Sequence, residues 1–142
     1  MVNEKKAIEA NEKFYEAFNK QNFELMRQVW LEDYSIACIH PGWKVLRGTE
    51  AVMQSWRGIF QNPSPLDIRL GDVEATASAD LAWVSCQENL YVISPNGVLT
   101  SKVHASNIFQ QVDGEWKMIM HHASNLPGEE TVEARVNIGG EN

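Results

Sequence analysis

SNIFQQVDGEWKMIMHHASN, residues 106–125, is two β-rich runs joined by Asp113-Gly114. An Asp-Gly pair between such runs is a hairpin signal, because both turn positions need a positive φ. A two-residue loop sets Val112 opposite Glu115. Counting outward along an uninterrupted ladder sets Phe109 opposite Met118, Asn107 opposite Met120 and Ala105 opposite His122. Successive strand residues point to opposite faces. One face then carries Val103, Ala105, Asn107, Phe109, Gln111, Trp116, Met118, Met120 and His122. The other carries His104, Ser106, Ile108, Gln110, Lys117, Ile119 and His121. The first face is far more apolar and is expected to meet the helices. Asn107 and His122 are its two polar intruders. His104 and His121 are expected at a surface or an interface.

The reading extends upstream. Pro95-Asn96-Gly97 is a second hairpin signal, preceded by a long β-rich run over Leu81 to Ile93. Ala82, Val84, Cys86, Glu88, Leu90 and Val92 share one face of that run, so Glu88 is a carboxylate among apolar neighbours. Ser78-Ala79-Asp80 separates it from a strand over Leu66 to Ala77. Before Leu66 the period changes. Ala7, Ile8, Phe14, Ala17 and Phe18 recur at helical spacing over Glu4 to Lys20, and Phe23 to Leu31 reads as a second helix. A short strand over Tyr34 to His40, with Tyr34, Ile36, Cys38 and His40 on one face, stops at Pro41-Gly42. A third helix starts at Gly48-Thr49-Glu50, with Thr49 as its cap, and ends at Asn62-Pro63-Ser64-Pro65. Helices segregated from an antiparallel sheet give an α+β domain over residues 1–126, with residues 127–142 as a C-terminal tail.

Composition narrows the function classes. The 142 residues are 44% hydrophobic and 22% charged, enough for one domain with a core. A net charge of −7 is repelled by phosphate, which disfavours nucleic acids and anionic membrane surfaces as partners. No run approaches the ~18 apolar residues of a membrane span. The charged N-terminus does not look like a signal peptide. Cys38 and Cys86 lie in apolar segments outside any metal spacing and read as free thiols. A cytoplasmic protein is expected. There is no P-loop, no GxGxxG after a strand and no HExxH, so neither cofactor nor metal is expected. His121-His122 is a poor metal pair, since neighbours on a strand diverge.

The candidate site residues follow from strand parity. His40 ends its strand and reads either as a general base, with an ordinary pKa of about 6.5, or as a locally bonded strand-end histidine. His122 reads as a pocket group or a satisfied core histidine. Glu88 reads as an acid or base with a raised pKa, or as half of an ion pair. Asn107 orients a ligand or bridges strands. Trp30, Trp43 and Trp56, in or beside the helical layer, and Met120 on the hairpin are candidates to line a pocket. Trp83 and Trp116 are expected to pack the sheet.

HPGWKVLRGTEAVMQSWRGIF (40–60), DLAWVSCQENL (80–90) and SNIFQQVDGEWKMIMHHASN (106–125) resemble the SnoaL-like branch of the nuclear transport factor 2-like superfamily over about residues 5–125. The resemblance implies a cystatin-like cone: a strongly curved, mostly antiparallel sheet wrapped by three N-terminal helices, often dimeric. The superfamily includes enzymes, binders and assembly domains. Its ketosteroid isomerases use a tyrosine on the first helix, a protonated aspartic acid and a second aspartate before a proline. Here those places hold Phe14 (with Tyr15 beside it on another face), Ala105 and His40-Pro41, which argues against that mechanism. The expectation is a small-molecule pocket protein acting on a small, largely apolar substrate. His40, Glu88 and His122 would be catalytic and Trp30, Trp43, Trp56, Asn107 and Met120 would bind ligand. The reaction expected is metal-free acid–base isomerisation, cyclisation or dehydration. The alternatives are a non-catalytic binder and a dimeric assembly domain; a homodimer is expected.

Overall fold

A computed structural model describes residues 2–62, 66–127 and 131–133, the last as backbone. Helix α1 spans Val2–Lys20, α2 Phe23–Val29 and α3 Thr49–Phe60. Strands β1 (Ala37–Ile39), β2 (Leu46–Arg47), β3 (Leu66–Ala77), β4 (Leu81–Ser94), β5 (Gly97–Val112), β6 (Glu115–Asn125) and β7 (Thr131–Glu133) form one sheet in the order β2-β1-β6-β5-β4-β3, with β7 on β5. β3 to β6 run as an antiparallel meander, while β1 joins β6 in parallel. The α+β expectation is met, and the four long strands fall where the turn signals put them.

Local chemistry explains the helix ends. Asn22 caps α2, its side chain accepting the Leu25 N–H at 3.0 Å. α3 is capped differently from expectation. Gly48, at φ 87°, holds the cap position with no side-chain bond. Thr49 instead accepts the Asp33 N–H at 2.8 Å, which ties α3 to the segment before β1. The first short strand is trimmed to Ala37–Ile39, and Tyr34 is exposed rather than inward. The expected stop at 62–65 and the tail over 127–142 lie largely outside the described residues; among those described, β7 joins the sheet.

Two irregularities shape the sheet. β3 slips against β4 between Gly71 and Glu74, where Asp72 takes φ 50°. β6 slips against β5: Phe109 faces Met118, but Ile108 faces Met120, so Ile119 is an extra residue. Bulges of this kind bend the strand and increase its twist. The hairpin is therefore in the expected register from its turn to Met118 and one residue out beyond it.

The helices pack over the concave face. Asn19 of α1 mimics a strand neighbour for Ile68, donating to its carbonyl at 2.9 Å and accepting from its N–H at 2.8 Å. Phe14, Phe18 and Trp56 meet edge-on, with Phe14 5.5 Å and Phe18 4.9 Å from Trp56. These rings, with Met26, Ile36, Val84, Phe109 and Met118, make one continuous core.

Candidate functional site

The interior of the cone holds a row of polar groups that apolar packing alone would not select. Asn11, His40, Glu88, Asn107 and His121 are each no more than 4% exposed. Buried polar groups need partners, and here the partners are mostly one another.

β4 and β5 supply the middle. Glu88 and Asn107 point inward, as parity requires. α1 supplies Asn11 and Tyr15, one turn apart, so both face the sheet. Tyr15 donates to Glu88 Oε2 at 2.5 Å. Asn107 Nδ2 donates to Asn11 Oδ1 at 2.7 Å and to Tyr15 Oη at 3.2 Å. With both amide hydrogens used, Asn107 Oδ1 can only accept, and it accepts from His121 Nδ1 at 2.6 Å. The chain has one direction: His121 to Asn107 to Tyr15 to Glu88. It leaves His121 Nε2 carrying a lone pair.

β1 supplies the other end. His40 Nε2 lies 3.0 Å from Ser55 Oγ, and Ser55 donates its only proton to the Val52 carbonyl at 2.7 Å. His40 is thus the donor in that bond, and its Nδ1 keeps the lone pair. Its ring stands 6.3 Å from His121 and edge-on to Trp43 and Trp56, at 4.7 Å each. Cys38 Sγ is 3.6 Å from His40 Nε2, and Cys86 Sγ is 3.6 Å from Tyr15 Oη.

Burial sets the protonation states. It pushes Glu88 up to about 7, against the opposing pull of the Tyr15 hydroxyl. It pushes His40 down to about 4. His121 falls to about 3, from burial first and then from the neighbouring charges of His40 and His122. Burial and the nearby Glu88 charge raise Tyr15. Burial, with Glu88 adding to it, raises the Cys38 thiol. At neutral pH the two imidazoles are free bases and the carboxyl is divided between its forms.

The structure brings together His40, Glu88, Asn107 and Trp56. Trp43 is half-exposed at the edge of the group, beside His40. His122 does not join it. The extra residue at Ile119 turns His122 outward, opposite Ser106, and turns His121 inward, opposite Asn107. His121, expected at a surface, is 1% exposed. The same slip puts Met120 opposite Ile108, half-buried on the outer face. Trp30 is buried where α2 ends, bridging Met118 through its backbone. Trp116 packs inside, but Trp83 is 51% exposed on the outer face. Asn11 escaped the sequence reading, and Tyr15, placed there on another face from Phe14, is buried beside it and points to Glu88. The i, i+4 spacing of two polar residues beside Ala7, Phe14 and Phe18 was the available signal.

Three surface hollows, of about 590, 540 and 340 Å³, lie elsewhere; none is lined by His40, Glu88, Asn107 or His121. The polar row itself is enclosed. No helix of the described residues is long and apolar enough to cross a membrane.

Comparison with known proteins fits this geometry. A putative dehydratase of the NTF2-like family from Streptomyces avermitilis is 30% identical, with a TM-score of 0.81 over 88% of this chain and 96% of its own. A putative calcium/calmodulin-dependent protein kinase type II association domain from Thiobacillus denitrificans is also 30% identical, with a TM-score of 0.71 over 82% of this chain and 92% of its own. F-box protein SKIP8 of Arabidopsis thaliana is 27% identical over 117 residues, 82% of this chain; the chain spans about half, 48%, of that protein's length. The SnoaL-like domain profile matches residues 8–128. With the helices, the curved sheet and the polar interior in place, this match establishes that the chain belongs to the SnoaL-like domain family of NTF2-like proteins.

Proposed function

We propose that this chain is an acid–base enzyme of the isomerase, cyclase or dehydratase kind, acting in the cytoplasm on a small, largely apolar substrate. The observation that carries the reading is the one-way hydrogen-bond chain from His121 through Asn107 and Tyr15 to Glu88. It fixes one imidazole tautomer and leaves an unprotonated nitrogen inside an apolar shell. Glu88, with a pKa near 7, is the group matched to proton transfer at neutral pH, while the neutral imidazole of His121, at about 3, is too weak a base to take the proton and instead accepts a hydrogen bond from the substrate. His40, with its own fixed tautomer, offers a second acceptor nitrogen. Trp43 and Trp56 flank it and bind the apolar part of the substrate, and the Trp43 turn is the way in. The Streptomyces relative, a putative dehydratase, supports the same class. The two buried thiols, neither in a disulfide, support the compartment.

Proton abstraction next to a carbonyl is the step common to these reactions. Solvent exchange therefore tests the reading without knowledge of the substrate. A panel of small apolar ketones and β-hydroxy ketones in D2O, followed by mass spectrometry, should show deuterium entering at the α-carbon. Glu88→Gln should lower that rate by at least ~100-fold. Uptake no faster than in buffer for every compound would overturn the reading.

A second reading adds a homodimer. Trp83, Ile108 and Met120 form an apolar row across β4, β5 and β6 on the outer face. The neighbouring rows, Ser85–Ser106–His122 and Gln87–His104–Ser124, hold no carboxylate within β4, β5 and β6; the first meets Glu74 at the β3 edge. On a chain of net charge −7, this is the face on which two copies meet with least repulsion.

A further inference from the structure

β5 and β6 bring two histidines together on the outer face, away from the polar interior. His104 lies opposite Ser124 and His122 lies opposite Ser106, so the two are diagonal neighbours on adjacent strands. Both are exposed. Diagonal positions of an antiparallel pair stand ~7–8 Å apart, within reach of ring-bearing side chains. Two imidazoles at that separation can turn a nitrogen each onto one ion, because a zinc–nitrogen bond is ~2.0–2.1 Å long. The juxtaposition depends on the extra residue at Ile119, since an unbroken ladder would turn His122 inward.

The surroundings select the kind of ion. Ser85, Gln87, Ser106 and Ser124 flank the pair on the two rows it occupies, and no carboxylate stands on those rows within β4, β5 and β6. Calcium and magnesium take oxygen ligands, carboxylates above all, and have little to hold them here. Imidazole nitrogens suit zinc, copper and nickel. Ser85 Oγ lies 3.3 Å from His104 Nε2. When Ser85 accepts the Nε2–H bond, Nδ1 keeps the lone pair, which is how a second hydrogen bond commonly orients a metal-bound imidazole.

One copy holds only half of a tetrahedral set. Among the described residues, no three histidine, cysteine, aspartate or glutamate side chains are grouped to hold an ion. A two-fold contact sets a patch against the same patch of the second copy, so the missing half is another His104 and His122. The apolar row Trp83–Ile108–Met120 runs directly beside the Ser106–His122 pair and would pack next to the ion.

We propose that His104 and His122 of two copies form a shared zinc site on the outer face of the sheet. The assignment rests on the homodimer reading and deepens it, by giving that contact a metal centre that neither copy completes alone.

The full chain, stripped of metal with EDTA and dialysed, is titrated with Zn2+ at pH 7.5 by calorimetry. Light scattering then follows a dilution series with zinc or with EDTA. One zinc should bind per two chains, and zinc should lower the concentration at which the dimer dissociates by at least ~10-fold. His104→Ala and His122→Ala, both at exposed positions, should keep the wild-type circular dichroism spectrum and each weaken zinc binding by at least ~10-fold. Variants that bind zinc as tightly as the wild type would overturn the site, as would one zinc per single chain with dissociation unchanged. A metal-free monomer that zinc converts to a dimer would uphold the site and end the metal-free dimer reading. A metal-free dimer that binds no zinc would do the reverse.

Discussion

Asn107 Oδ1 accepts from His121 Nδ1 at 2.6 Å, across a β5–β6 ladder that has slipped by one residue to make the pairing possible. Asn107 also donates to Asn11 and Tyr15, so one amide sets the direction of every bond in the row. Asn107→Asp removes both donated hydrogen bonds and sets a carboxylate against Tyr15 and Asn11. Stability should fall by about 2–4 kcal/mol, as expected when a buried network is broken. The new charge beside His121 should raise its pKa, visible as an imidazole signal titrating at higher pH than in the wild type.

Because Ile119 is the extra residue, the two adjacent histidines have opposite environments. His121→Ala should cost about 2–4 kcal/mol through a cavity and an unmatched Asn107 carbonyl. His122→Ala, on the exposed side, should stay within about 0.5 kcal/mol of the wild type. Chemical denaturation of the two variants decides it; the reverse order would mean that the ladder is regular.

The pH dependence of stability follows from three buried groups. Glu88 is raised from 4.5 to about 7, so its contribution is full below pH 4.5 and is lost as the pH rises through 7. His40 and His121 are lowered from 6.5 to about 4 and about 3, so theirs are full above pH 6.5 and are lost as the pH falls through those values. Between pH 4.5 and 6.5 unfolding releases one proton from Glu88 and takes up two on the histidines. These groups therefore make stability rise with pH by a net one proton, about 1.4 kcal/mol per unit. Glu88→Gln abolishes the opposing proton, and the slope should double. Denaturation midpoints at several pH values measure both slopes; an unchanged slope in Glu88→Gln would mean that Glu88 is ionised throughout.

The outer apolar row makes a separate prediction. Trp83→Asp puts a carboxylate into the apolar row at the centre of the face, whose other carboxylates lie on β3 at Glu74 and Asp67, and in a symmetric dimer the two new charges confront each other. Light scattering at micromolar concentration should give a dimer for the wild type and a monomer for Trp83→Asp, with the fold retained by circular dichroism. A monomeric wild type would remove the dimer reading.

The sequence by itself determined the four long strands, their turns and the inward set of β4. Asp113-Gly114 pins the hairpin, and alternation along residues 82–92 leaves Glu88 only one side to face. The same parity places Asn107 inward, because Asn107 lies before the turn on the strand that carries no extra residue. What only the tertiary structure decided on this hairpin is which way residues 119–125 face. Residues 118–123 read Met-Ile-Met-His-His-Ala, apolar at both Ile119 and Met120 and histidine at both 121 and 122. Shifting such a segment by one exchanges like for like, so hydrophobic alternation cannot choose between the two registers. The choice falls to contacts distant in sequence: β1 in parallel with β6, Phe14 of α1 against the His121 ring at 4.8 Å, and the Asn11, Tyr15 and Asn107 side chains that the inward histidine completes.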